Sequence, residues 1–195
     1  MKILIACEYS GIVRNAFAAK GHDAWSCDIL PSESSGNHIQ DDVLKHLNKG
    51  WDLMIAHPPC TYLSNAGARF LYPKGKLNKD RYKLGLKAKK FFMALYNAPI
   101  DKICVENPIS SKIFELPKHT QTIQPYEYGH PVQKKTCLWI KNLKTLTPTK
   151  VIQKPQSTKI AGNWFNKGGK DRQKNRSKFF IGIANAMADQ WGSDK

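Results

Sequence analysis

Residues 3–7 form an unbroken apolar run, Ile-Leu-Ile-Ala-Cys, that halts at Glu8 and gives way to Val13, Ala16 and Phe17 at helical spacing. A strand without polar alternation has no face to offer to water, so it belongs inside a parallel sheet covered on both sides. The pattern recurs downstream. Residues 51–56 run into His57-Pro58-Pro59-Cys60, residues 102–105 run into Glu106-Asn107-Pro108, and a shorter strand at 23–29 carries Cys27 and Asp28 near its end. Helices are expected at 12–19, briefly at 41–47, and at 80–97 and 178–191, with a further strand at 136–140. Strands and helices alternating at this pitch predict a Rossmann-like α/β fold, a doubly wound and mostly parallel sheet, with all 195 residues in one domain.

Finer expectations concern the connections. In helix 80–97, Leu84, Leu86, Ala88, Phe91, Phe92 and Leu95 are expected to face the core, with lysines 83, 87, 89 and 90 opposite. Residues 31–38 read as a polar loop. The turn signals Asn65-Ala66-Gly67 and Tyr72-Pro73-Lys74-Gly75 predict that 61–79 is an exposed, mobile connection.

Charge narrows the partner. Lys and Arg total 31 against 15 Asp and Glu, a formal net charge of +16, in a chain with 10% aromatic residues. Such a surplus favours a polyanion, because neutralised phosphates release condensed counterions; the bland alternative is a lysine-rich surface that only keeps the chain in solution. Basic residues concentrate between 150 and 178, where Lys159, Lys167, Lys170, Arg172, Lys174 and Arg176 surround Trp164, a composition suited to following a nucleic-acid backbone while stacking on a base. Five cysteines with no C-x-x-C pair read as reduced thiols rather than a disulfide framework or a zinc site, so no metal is expected. No apolar stretch approaches the ~20 residues of a membrane span, so a cytoplasmic protein without a membrane partner is expected, as a monomer or weak homodimer.

In open parallel sheets ligands collect beyond the carboxyl ends of the strands. Here those ends carry Glu8, Tyr9, Ser10 and Gly11 after the first strand, Asp28 after the second, Cys60 after the third and Glu106 after the fourth. An acid at the end of the second strand can accept hydrogen bonds from ribose hydroxyls, although a lone Asp before a loop commonly serves as a turn or cap residue. Cys60 follows two stiffening prolines; alone, it reads equally as a small buried hydrophobe.

Taken together, His57-Pro58-Pro59-Cys60-Thr61-Tyr62-Leu63-Ser64-Asn65-Ala66-Gly67 resembles the Pro-Cys catalytic loop of the DNA cytosine-C5 methyltransferases, and Val105-Glu106-Asn107-Pro108 resembles their Glu-Asn motif. Gln133-Lys134-Lys135 is similar to the family's Gln-x-Arg segment, and Gly182-Ile183-Ala184-Asn185-Ala186 to its C-terminal Gly-Asn-Ala motif. Short phage-type members share the Cys-Glu-Tyr-Ser-Gly start and the Lys-Lys-Thr-Cys-Leu-Trp segment.

The resemblance implies a sheet of the S-adenosylmethionine-dependent methyltransferase type and a set of roles. Cys60 would attack cytosine C6, Glu106 would stabilise the charge at N3 and the exocyclic amine, and Lys135 would hold the pyrimidine carbonyl. Glu8, Tyr9, Ser10, Gly11, Asp28, Asp42 (or Asp41), Pro59 and Asn185 would bind S-adenosylmethionine, and Ser64 with the 150–178 strip would contact DNA around a flipped base. The resemblance names no base for the C5 proton. Cys137 stands where a second arginine is expected, and only about forty residues occupy the place of a full target-recognition region. Four other readings compete. A catalytically inactive binding or decoy module and a methyltransferase acting on another pyrimidine stay open. Amino-methyltransferases fit poorly at His57 and Cys60, and a zinc nucleobase deaminase needs a cysteine where Leu63 stands.

Overall fold

The computed structural model describes residues 1–157 and 178–193. Its strands are β1 (Lys2–Ala6), β2 (Asp23–Asp28), β3 (His38–Gln40), β4 (Leu53–Ala56), β5 (Lys102–Asn107), β6 (Gln121–Ile123), β7 (Val132–Gln133), β8 (Thr136–Lys141) and β9 (Gln156–Ser157). The α-helices are α1 (Ile12–Ala18), α2 (Ala68–Leu71), α3 (Lys79–Tyr96) and α4 (Ile181–Trp191). Seven strands form one sheet in the order β3-β2-β1-β4-β5-β8-β6, and β7 pairs with β9 in a separate ribbon. Pairings among β3, β2, β1, β4 and β5 are parallel, whereas β8 runs antiparallel between β5 and β6. This is the doubly wound, mostly parallel sheet that the unbroken apolar runs require.

Strand alternation divides the core. Ile3, Ile5, Leu53, Ile55, Leu138 and Ile140 face α1 and α4, where Val13, Phe17, Ile183, Met187 and Trp191 close one cluster. Leu4, Ala6, Met54, Ala56, Ile103, Val105 and Trp139 face the other way, onto Phe92 and Leu95 of α3. The Trp139 indole donates to the Pro117 carbonyl at 2.7 Å, which satisfies its polar atom inside the apolar layer.

Several expectations are corrected. Residues 61–79 are largely exposed, as expected, but they also carry turns at Asn65–Gly67 and Pro73–Gly75 flanking α2, and Leu63 and Leu71 anchor the segment to the core. On α3, Leu84 and Leu86 are exposed; Gly85 faces inward instead, and a Cβ there would overlap the Phe114 ring. The short helix expected at 41–47 is a 3-10 turn, Val43–His46, and the end of the polar loop becomes β3 by pairing with β2. The strand expected at 102–105 continues through Glu106 and Asn107, which are paired in register with Leu138 and Cys137.

Candidate active site

Chain direction brings the singled-out residues to one edge. The first five strands in the sheet order end there, and antiparallel β8 begins there, because Asn107 pairs with Cys137. Lys135, exposed and one residue before β8, therefore stands beside the end of β5. The strand order reverses between β1 and β4, the switch point at which doubly wound folds bind ligands. A cleft at that point is lined by Cys7, Glu8, Tyr9, Ser10, His57 and Phe179.

On the β1 side the turn is held tightly. Cys7 takes a left-handed conformation (φ 59°), and both its N–H and that of Glu8 donate to the Cys27 carbonyl, at 2.7 and 3.3 Å. That bend carries the Glu8 carboxylate back over the start of α1, where it accepts from the amides of Val13 at 2.7 Å and Arg14 at 3.1 Å. Buried Glu8 is thus a helix cap, a use its position after the first strand did not announce. Gly11, at φ 72°, has no room for a Cβ because Ser34 and the Arg14 guanidinium lie against it.

Arg14 was missed in the sequence. Its side chain is fully enclosed and donates to Ser26 Oγ (3.0 Å), Ser32 Oγ (3.2 Å), Ser34 Oγ (2.7 Å) and the Ser35 carbonyl (2.6 Å), so one guanidinium shapes the loop after β2. The only available signal was an arginine flanked by the apolar positions of a short core helix.

The acids at the ends of β2 and β3 differ in use. Asp28 accepts the Leu30 amide at 2.9 Å, and burial pushes its carboxyl above the usual carboxylate range. Asp42 caps the 3-10 turn through the Leu44 amide at 3.0 Å. Asp41 takes Lys45 Nζ at 2.8 Å and His46 Nε2 at 3.0 Å; the Lys45 hydrogen bond leads in holding its carboxyl well below the usual range.

Across the cleft, the β4 and β5 ends are tied together. His57 Nδ1 lies 3.2 Å from Glu106 Oε2, and Asn107 Nδ2 donates to the Pro58 carbonyl at 3.1 Å. The Asn65 amide donates to the Ile109 carbonyl and the Ser111 amide to the Leu63 carbonyl, both at 2.7 Å. Arg81 of α3 donates to the Thr61 carbonyl at 2.9 Å and lies over the Tyr62 ring. Within this loop Cys60 is half-buried, and its carbonyl accepts from the Ser64 amide at 2.9 Å. Burial raises the thiol pKa of Cys7, Cys27, Cys104 and Cys137, with Cys27 pushed up to about 11, so these four stay protonated near neutrality.

Three expected site residues, Ser64, Pro59 and Asn185, and Cys137 at the place of an expected arginine, are positioned as follows. Ser64 is buried beneath the loop, and its backbone bridges to Ser110. Pro59 is exposed at the rim, while Pro58 is the proline packed inside. Asn185 faces solvent on α4, and Phe179, just before that helix, lines the cleft in its stead. Cys137 points into the α3 layer. Lys159, Trp164, Lys167, Lys170, Arg172, Lys174 and Arg176 lie outside the described residues. No helix among the described residues is long and apolar enough to cross a membrane.

No protein-family model matches the chain, and no curated protein matches it. Among solved structures it is similar to one described as a DNA modification methyltransferase encoded within a prophage (E. coli), at 14% identity and a TM-score of 0.44. The match covers 77% of this chain and 51% of that one, so this chain spans about half the length of the structure it resembles.

Proposed function

We propose that the chain transfers a methyl group from S-adenosylmethionine to C5 of cytosine in DNA through a covalent bond from Cys60. The observation that carries this reading is the linkage of the two strand ends: His57 to Glu106 at 3.2 Å and Asn107 to Pro58 at 3.1 Å hold the thiol loop and the carboxyl strand on one edge. Cytosine C5 is a poor nucleophile until C6 is attacked. Cys60 bonds to C6, the C5–C6 double-bond pair moves onto C4–C5, and N3 takes a proton from Glu106. Lys135 holds the pyrimidine carbonyl as a point charge. The base has left the duplex beforehand, at a cost of a few kcal/mol.

The methyl donor would lie over this cleft, against the first turn. Tyr9 and Phe179 provide aromatic walls, and Asp28 stands at the neighbouring strand end where a ribose would present hydroxyls. S-adenosylmethionine supplies an electrophilic methyl group there. The chain's own part is to seat it against the first turn and to keep Cys60 and Glu106 on the opposite wall.

The test is incubation with 5-fluorocytosine DNA and S-adenosylmethionine, followed by mass spectrometry of the protein. Fluorine cannot leave C5 as a proton, so a stable adduct on Cys60 carrying the methyl group is expected, and Cys60→Ala forms none. DNA that binds without an adduct, whether duplex or single-stranded, overturns the reading in favour of a binding module.

A further inference from the structure

We propose that His57 is the base that removes the C5 proton, a step that rests on the cytosine reading above and for which the sequence motifs supply no residue. His57 is pinned at the switch point: its backbone N–H donates to the Ala6 carbonyl at 2.9 Å, and its ring packs on Phe179 with centroids 4.6 Å apart. Only 9% of its side chain is exposed. Nδ1 meets Glu106, while Nε2 is buried and no hydrogen-bonding atom of the described residues reaches it. Because His57 also lines the cleft proposed for the methyl donor, it stands between that cleft and the carboxyl proposed to bind the base edge.

Tautomer chemistry assigns the free atom. An ionised carboxylate only accepts, so with Glu106 charged the imidazole proton resides on Nδ1 and the lone pair on Nε2. Glu106 becomes a carboxylate when it protonates N3, which is the state in which an adjacent imidazolium is stabilised. A carboxylate holding a catalytic imidazole in one tautomer is the logic of the acid-histidine pair in hydrolases. The neighbouring groups are unsuited to the task. The Cys7 thiol is kept protonated by burial, the Glu8 carboxylate is engaged by the amides of α1, and Lys135 is a cation.

The step balances. After methylation C5 carries both the methyl group and its original hydrogen. His57 Nε2, directly or through one water, takes that proton, and the C5–H pair forms the C4–C5 double bond. The N3 proton then returns to Glu106, N3–C4 and C5–C6 become double bonds, the C6–S bond breaks, and Cys60 leaves as thiolate. His57 passes its proton to solvent.

The deciding experiment uses His57→Gln with ordinary cytosine DNA and S-adenosylmethionine in a single turnover. A methylated adduct on Cys60 should accumulate, with release slowed on the order of 100-fold, the scale of lost general-base catalysis. Adduct formation on 5-fluorocytosine DNA should remain, and without the methyl donor the exchange of the C5 hydrogen for deuterium from solvent should slow equally. A second variant, His57→Gly, should show the same stalled adduct, and added imidazole should release it. Release and exchange at the wild-type rate, or imidazole without effect, overturn the proposal while the cytosine reading stands. Absence of any 5-fluorocytosine adduct in the wild type removes the reading beneath it.

Discussion

The β1 wall and the β4–β5 wall of the sheet edge at the switch point use their polar groups in opposite ways. On the β1 side, Glu8 caps α1 and Arg14 is enclosed by the serines and carbonyls of the loop after β2. On the β4 and β5 side, Nε2 of His57 and Oδ1 of Asn107 are buried with no hydrogen-bonding partner among the described residues. A closed network sets a shape, and a buried polar atom left open is costly to keep unless a ligand completes it. The first wall therefore holds a turn rigid, and the second leaves two buried polar atoms open, as the proposed catalytic role requires.

That contrast predicts where substitutions register. Cys60→Ala should abolish the covalent adduct while shifting unfolding free energy by less than about 1 kcal/mol, as expected for a small change at a half-buried side chain. A large stability loss in denaturant titration would show that the second wall is structural after all. Arg14→Met should act the other way, costing about 3 kcal/mol because several buried acceptors lose their donor together; a loss below about 1 kcal/mol would erase the difference between the walls.

Smaller effects sharpen the picture. Gly85→Ala places a methyl group in the Phe114 ring, beneath the segment that follows β5. Overpacking outweighs the helix-propensity gain of alanine, for a net loss of about 1–2 kcal/mol that the added change Phe114→Leu should largely recover. The smallest effect is alkaline. Cys27 is pushed up to about 11 by burial, so the native state holds its proton where the unfolded chain, near 9, has lost it. Its stabilising effect is complete below pH 9 and is lost as pH rises toward 11. Thermal unfolding midpoints should fall over that window, and less steeply in Cys27→Ala.

How much of this was legible varies with distance along the chain. The apolar runs announced β1, β4 and β5, and each ended where chemistry-bearing residues begin. Helical periodicity misplaced Leu84 and Leu86, because α3 buries only the narrow stripe through Gly85, Phe92 and Leu95, and a glycine gives no apolar signal. Glu8 was visible as a residue of the first turn; its role as a cap followed only from the left-handed bend at Cys7. Ser64 reads as a surface hydroxyl until the bridge to Ser110 draws it inward.

The amino-acid order by itself determined a parallel sheet covered on both faces, the stiff Pro-Pro-Cys turn and the Glu-Asn strand end, since runs of apolar residues and paired prolines act through local conformation and burial. Only the tertiary structure decided that His57 meets Glu106 across 49 residues, that Arg14 shapes the loop after β2, and which polar atoms are left open. Those outcomes depend on which strands become neighbours. Register between β4 and β5 brings their ends together, and the hydrogen-bonding partners of a buried side chain are set by that neighbourhood, which no short stretch of sequence contains.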